Sequence, residues 1–529
     1  MSAAALQDFL CQHEQLIAPL ERERNLAWWE HATTGTKEAE QRSAELSGRY
    51  RKLHADPAVF ERLSRWRSAA VAQQPLLARQ LEVVYLNYLG NQSDPESIDR
   101  IVRLEAEAES IYANYRGRVD GQELSDNDIH RILLESDDAA LRRQAWEASK
   151  GIGPLVQSRV LELVELRNQA ARRLGYRDHF VFSLALQELD EDELLALLDQ
   201  LELLTREPFF EAKAELDRRL AERFQIAVEA LHPWHYADPF FQEPPPNPGL
   251  ELEAWYRAAD ILELARKTFD GLWLPVEPIL ARSDLYPRSG KNQHAFAIDI
   301  DRGGDVRILC NLEPSERWTS TALHELGHAV YDAGIDPELP FTLRSYAHTL
   351  STEAIALLMG RLTRDPEWIE GVAAISAAQV GKQADAILEQ QRLGMLIFVR
   401  WALVMVRFER ALYSQREPDL GAVWWSLVER LQGIARPPGA READWAAKLH
   451  LALAPVYYHN YILGELCASQ LVGAIRLYTG RGLVANSAGG SWLAEHIFRP
   501  GARYRWDELI RRATGRALGA DAFVAQYLV

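Results

Sequence analysis

The sequence predicts a mainly α protein with one small β-sheet, and three observations predict it. Apolar residues recur at three- and four-residue spacings through most of the 529 residues, strand-like alternation is rare, and the one good hairpin signal is confined to residues 292–311. The clearest helical stretch, 194–223, threads leucines and phenylalanines between charges at the spacing an amphipathic helix needs. Similar patterns run through 58–90, 98–117, 139–174, 249–269 and 366–414. In 292–311 two short apolar segments flank Asp301-Arg302-Gly303-Gly304-Asp305, a turn sequence between two short strands. A proline-rich break at 240–249, with Trp234, Phe240, Phe241 and Trp255 around it, reads as an ordered loop and is the one place where a boundary suggests itself. A nominal length of ~150 residues per domain gives a prior of three or four domains, yet no second boundary is visible and residues 1–529 read as one domain. The glycine cluster at 480–492 is expected to form loops between C-terminal helices. No repeat of fixed period is present, so a solenoid lacks its signature.

Composition narrows the function classes. The chain is 47% hydrophobic and 26% charged, which supplies a core and excludes wholesale disorder. Acidic residues outnumber basic ones, 76 to 59, for a net charge of -17. Such a surface repels phosphate backbones, so no nucleic-acid partner is expected. The first residues lack the basic and apolar regions of a secretory leader, and the apolar run Met395–Val399 continues to Val406 only across Arg400. That run is too short to span a bilayer, so a buried helix and no membrane partner are expected. Cys11, Cys310 and Cys467 are odd in number and far apart, which fits a soluble protein of the cytoplasm better than a disulfide framework.

Residues 324–328 read His-Glu-Leu-Gly-His. On a helix, positions four apart project from one face, so His324 and His328 can hold one Zn²⁺. Glu325 sits ~100° round the helix, too far to share their coordination but able to reach a water beside the metal. Leu323, Leu326, Ala329 and Val330 form the expected buried stripe, Thr319 or Ser320 the expected cap, and Gly334 the expected end. A catalytic zinc takes three protein ligands and leaves a fourth position open. Glu353 is the candidate third ligand, in the first turn of a second helix expected at 351–362, capped by Thr349 or Ser351, with Ile355, Leu358, Met359 and Leu362 as its apolar face.

The same residues resemble a known family. His-Glu-Leu-Gly-His followed by Ser351-Thr352-Glu353-Ala354-Ile355-Ala356 is similar to the gluzincin metallopeptidases, specifically the angiotensin-converting-enzyme family and the related thimet-type oligopeptidases. His294-Ala295-Phe296-Ala297, Lys448-Leu449-His450 and Tyr457-Tyr458-His459-Asn460-Tyr461 resemble that family's His-Ala-x-Ala, Lys-x-His and Tyr-x-x-Tyr segments. Asn25–Trp29, Phe498–Gly501 and Ala513–Gly515 extend the likeness over nearly the whole chain.

The resemblance implies a large ellipsoidal, two-lobed helical body with a deep central cleft, one small sheet beside the zinc helix and a zinc-binding core at about 290–465. It implies one zinc per chain and hydrolysis of short peptides, with release of C-terminal dipeptides favoured. Cleavage inside oligopeptides, removal of single C-terminal residues and a non-catalytic helical peptide-binding protein are the alternatives. Glu325 is then the general base, Tyr461 the donor to the developing oxyanion, and His450 a group binding the substrate near the cleavage site. His294, Ala295 and Ala297 bind the peptide main chain by strand addition, while Lys448 and Tyr458 hold its C-terminal carboxylate. Three departures stand out. Asn460 replaces the chloride-binding Arg of the animal enzymes, so chloride activation is not expected. Leu357 replaces the Asp that supports their zinc ligands, leaving the partners of His324 and His328 unidentified. The disulfide beside their His-Ala strand has no counterpart, because Gln293 precedes His294 and Cys310 has no pairing partner in sequence. His232 and His235 lack ligand spacing and read as structural.

Overall fold

The structure is a computed structural model that describes residues 2–69, 74–247 and 249–528. Helices dominate it, and the only strands among the described residues form two antiparallel two-stranded ribbons. The chain divides into two compact units. The first comprises Met1–Gln92, Leu250–Leu388 and Leu463–Phe523; the second comprises Ser93–Gly249, Glu389–Ile462 and Val524–Val529. One division therefore follows Gly249, at the end of the proline-rich break.

In the first unit, helices Ala3–Thr34, Lys37–His54, Pro57–Ser68 and Pro75–Leu89 pack around Leu6, Leu10, Leu63, Trp66, Leu81 and Val84, all buried. Ser2, Thr36 and Asp56 cap three of these helices through side-chain oxygens that accept backbone N–H groups. The expected ribbon is here: Phe296–Asp299 pairs antiparallel with Val306–Leu309, in the register Ala297 opposite Ile308. Its turn is closed by aspartates. Asp299 accepts the backbone N–H of Arg302 at 2.8 Å, and Asp301 accepts those of Gly303 at 2.9 Å and Asp305 at 3.1 Å. His294 and Ala295 lie just before the strand rather than within it. In the C-terminal part, residues 480–486 form a loop, but the rest of that glycine cluster is corrected to a helix, Ser487–Leu493.

The second unit holds the long helix Glu191–Phe224, capped by Asp190, together with Gly153–Arg173, His179–Leu186 and most of Ala377–Ser414. Most of the apolar run 395–406 is buried in that last helix, with Met395 and Phe398 half-buried. Arg400, which interrupts it, donates to the Glu202 carbonyl at 3.0 Å and Thr205 Oγ1 at 2.9 Å, so its charge is not left bare. Among the described residues no helix is long and apolar enough to cross a membrane. A second ribbon, Gly117–Val119 with Gln122–Leu124, corrects the expectation of a single sheet. Asp120-Gly121 turns it with φ of 49° and 78°, a pairing that suits the twist of a tight hairpin. Several long helical patterns are broken in two: 139–174 becomes Ala139–Lys150 and Gly153–Arg173 at Gly151.

Candidate metal centre and substrate residues

Helix Glu316–Ala333 carries the His-Glu-Leu-Gly-His sequence. Its cap is Ser315, whose hydroxyl accepts from the Trp318 N–H at 3.1 Å, which corrects the expected Thr319 or Ser320; Gly334 ends it as expected. Leu323, Leu326, Ala329 and Val330 are buried. The second helix runs Thr349–Gly360 and is capped by His348, whose Nδ1 accepts from the Leu350 N–H at 2.9 Å. Thr349 and Ser351 are therefore not its caps, and Glu353 stands in the second turn instead of the first. The two helices meet without a side chain between them at Gly327, where an added Cβ would lie 2.7 Å from Ala356 Cα. Ser320 Oγ donates to the Gly360 carbonyl across the same interface at 3.0 Å.

That close approach brings His324, His328 and Glu353 together, with one ligand atom of each within 4.8 Å of the others. Glu353 Oε2 is 3.8 Å from His324 Nε2 and 4.0 Å from His328 Nε2. Ligands bonded to a tetrahedral zinc at ~2.1 Å stand about 3.4 Å apart, so the donor set fits such an ion with little movement. The His–Glu pairs are not ion pairs. Burial lowers His324 to about 4, and burial with the neighbouring His324 lowers His328 to about 3, so both rings are neutral and their lone pairs free to bind metal. The missing partner of His328 is Thr352, with its Oγ1 2.7 Å from His328 Nδ1. In the tautomer that carries its proton on Nδ1, the ring donates to this hydroxyl and presents an unprotonated Nε2 on the Glu353 side.

Glu325 is buried beside this cluster. Burial first, then the charge of Glu353, push its carboxyl up to about 8, while the Ala297 backbone N–H pulls the other way. A divalent cation held by the neighbouring cluster would oppose the charge of Glu353 and favour the ionised form of Glu325. Ala297 thereby ties the ribbon to the metal helix. Phe296–Asp299 has a strand partner on one side only among the described residues, and His294, just before it, is exposed.

The other four expected residues cluster in the second unit. Lys448 Nζ donates to Gln242 Oε1 at 2.9 Å and lies 5.2 Å from the Trp401 ring centre, 5.5 Å from Phe240 and 5.6 Å from Tyr458. Burial lowers its amine to about 8 against the nearby charges of Asp238, Glu243 and Asp126. His450 stacks edge-on against Tyr458 at 5.1 Å, and burial, then Lys448, hold it near 4. Trp401 Nε1 donates to the Tyr458 hydroxyl at 2.9 Å, and the Tyr458 and Tyr461 rings are 5.4 Å apart. Helix Tyr458–Thr479 begins with these tyrosines, so Tyr458 and Tyr461 belong to its first turn. Farther along it, a Cβ added to Gly464 would stand 3.1 Å from Glu353 Cβ. Asn460 is buried and donates to Gln187 Oε1 at 2.8 Å. His235 is buried and its Nδ1 accepts the His232 N–H at 2.8 Å. All three cysteines are free; Cys310 and Cys467 are buried, and Cys11 is exposed.

Thr352, Gln242 and Gln187 are the polar partners that sequence reasoning missed. Thr352 is adjacent to Glu353 and becomes visible only once the azimuth of its helix is known. The two glutamines come from segments more than 200 residues away from Lys448 and Asn460.

A family model for angiotensin-converting enzyme matches residues 1–226 and 285–523. The chain belongs to the angiotensin-converting-enzyme family. Every one of the eleven residues expected to act at the site lies inside the matched stretch 285–523, whereas Gln242 lies in the unmatched segment between the two. The chain is also 24% identical over 427 residues to thermostable carboxypeptidase 1 of Pyrococcus furiosus, covering 74% of this chain and 77% of that protein. Like its family, this protein is a peptidase, and its imidazole–carboxylate cluster makes it a metallopeptidase.

Proposed function

We propose that this family member is a zinc-dependent peptidase that releases dipeptides from the C-termini of short peptides. The observation that carries the reading is the convergence of His324, His328 and Glu353 with the buried Glu325 beside them. Two neutral imidazoles and a carboxylate are the donor set of a catalytic zinc, which when bound supplies Lewis acidity to a water and to the scissile carbonyl. Glu325 takes the proton of the attacking water and returns it to the departing amine nitrogen. The family likeness assigns Tyr461 the hydrogen bond to the developing oxyanion and His450 a contact to the substrate backbone. It likewise assigns His294, Ala295 and Ala297 to the peptide main chain, and the one-sided strand Phe296–Asp299 supports addition of an extended peptide there. Lys448, with Tyr458 and the Gln242 amide around it, holds the terminal carboxylate. The reading draws on both compact units through the family likeness alone. Three unpaired thiols support a reducing, cytoplasmic setting, and the net charge of -17 supports peptides over nucleic acids.

A second reading, removal of single C-terminal residues, is favoured by the name of the Pyrococcus relative. Mass spectrometry of products from free-acid and amidated peptides separates the two. Dipeptides from free acids alone support the proposal, and single amino acids support the second reading. Internal fragments from amidated peptides would overturn both in favour of an oligoendopeptidase. Metal-loaded protein that binds peptides and cleaves none would make it a binding protein.

A further inference from the structure

The turn that leads into Tyr458 and Tyr461 is strained and tied down by two groups outside the proposed machinery. Val456 has φ of 53°, a left-handed conformation that a β-branched residue rarely adopts. Its N–H donates to the buried carboxylate of Glu409 at 2.5 Å. Its carbonyl accepts from Gln187 Nε2 at 3.3 Å. Gln187 follows helix His179–Leu186 directly and uses its whole amide. Nε2 also donates to the Ser183 carbonyl at 3.0 Å, while Oε1 accepts from His459 Nε2 at 3.0 Å and from Asn460 Nδ2 at 2.8 Å. His459 and Asn460 are both 1% exposed, and Tyr461 is the next residue. One amide therefore grips the turn before Tyr458 and the two residues before Tyr461, and it is anchored in a separate helix.

We infer that Gln187 is a positioning residue: by holding Val456, His459 and Asn460 at once, with Glu409 pinning the Val456 N–H, it sets the aim of the Tyr461 hydroxyl. This rests on the proposal that Tyr461 donates to the developing oxyanion. A hydrogen-bond donor stabilises that charge only from the right place, and a misplacement of about 1 Å costs on the order of 100-fold in rate. Hydrogen bonds confined to the local turn would not do this, because a valine in the left-handed region is free to relax unless both its N–H and its carbonyl are held from outside. Gln187 and Glu409 hold one each.

The test is a double-mutant cycle on the metal-loaded full chain, following kcat and KM with a quenched fluorescent peptide. Gln187→Leu should lower kcat roughly 10- to 100-fold with KM within about 3-fold of native and metal content unchanged, and should lower the melting temperature because buried His459 and Asn460 lose their acceptor. In a Tyr461→Phe background the same substitution should remove less than about 2-fold more, because a residue acting through Tyr461 has nothing further to lose. Gln187→Glu keeps the acceptor for His459 and Asn460 but loses donation to Val456 and Ser183, so it should fall between native and Gln187→Leu. It also carries the cycle if the leucine variant does not fold. Equal losses on both backgrounds, or a native kcat for Gln187→Leu beside a damaged Tyr461→Phe, would overturn the clamp alone. A native kcat for Tyr461→Phe would instead remove the role of Tyr461, and this inference with it.

Discussion

The two helices of the first unit that bring the candidate metal ligands together and the lysine–tyrosine cluster of the second are stiffened in opposite ways. At His324, His328 and Glu353 the backbone does the work: two helices touch at Gly327, and apolar side chains fill the interface around it. Polar help there is limited to short links such as Thr352 to His328 and Ser320 to Gly360. Around Lys448 and Tyr458 the backbone is irregular, and the geometry depends on rings and side-chain amides reaching in from distant segments. The first arrangement should fail through packing and metal loss. The second should fail through rate, substrate selection and pH.

The largest effect is expected at Glu325. Glu325→Gln should lower kcat by about 10²- to 10⁴-fold while elemental analysis still finds one metal per chain. Native turnover would strip the first region of its base. Glu353→Ala should weaken metal binding by well over about 100-fold in a competition titration, more than loss of an outer partner costs. Thr352→Val, which leaves the ligands intact, should weaken it roughly 10- to 100-fold. Gly327→Ala should cost about 1–3 kcal/mol of stability in denaturant unfolding, because its Cβ meets backbone that cannot move aside. Lys448→Ala should change substrate choice and leave the metal alone, with KM for free-acid peptides up about 10-fold and amidated peptides untouched. The lysine also supplies a pH signature. An amine lowered to about 8 is charged below that pH and neutral above it. The ratio of kcat/KM for free-acid over amidated peptide should therefore hold below about pH 8 and fall as pH rises through it. Taking the ratio cancels the titration of Glu325, which affects both substrates. A flat ratio would break the contrast between the two regions.

The contrast also explains what was legible in the sequence. His324, His328 and the apolar faces around them follow from helical spacing, which is local, and Glu353 needed only one further helix of the expected polarity. The caps were misplaced by a few residues because Thr319, Ser320, Thr349 and Ser351 all have capping chemistry, and the choice among them is made by tertiary packing. The Asp120-Gly121 ribbon carried a readable turn signal, but its three-residue strands are too short to show alternation. Gln187, Gln242 and Glu409 left no trace at all. Each acts across more than 40 residues, and nothing in the local pattern distinguishes them from surface polar groups.

The free cysteines have a practical consequence. Burial pushes the Cys467 thiol up to about 12 and raises Cys310 as well, so neither forms a thiolate near neutral pH, whereas Cys11 lies exposed on the first helix. Maleimide reagents should thus attach one probe per native molecule, on a surface helix away from the metal ligands in sequence, without any engineered substitution. Loss of that one-to-one labelling on heating would report the opening of the interior directly.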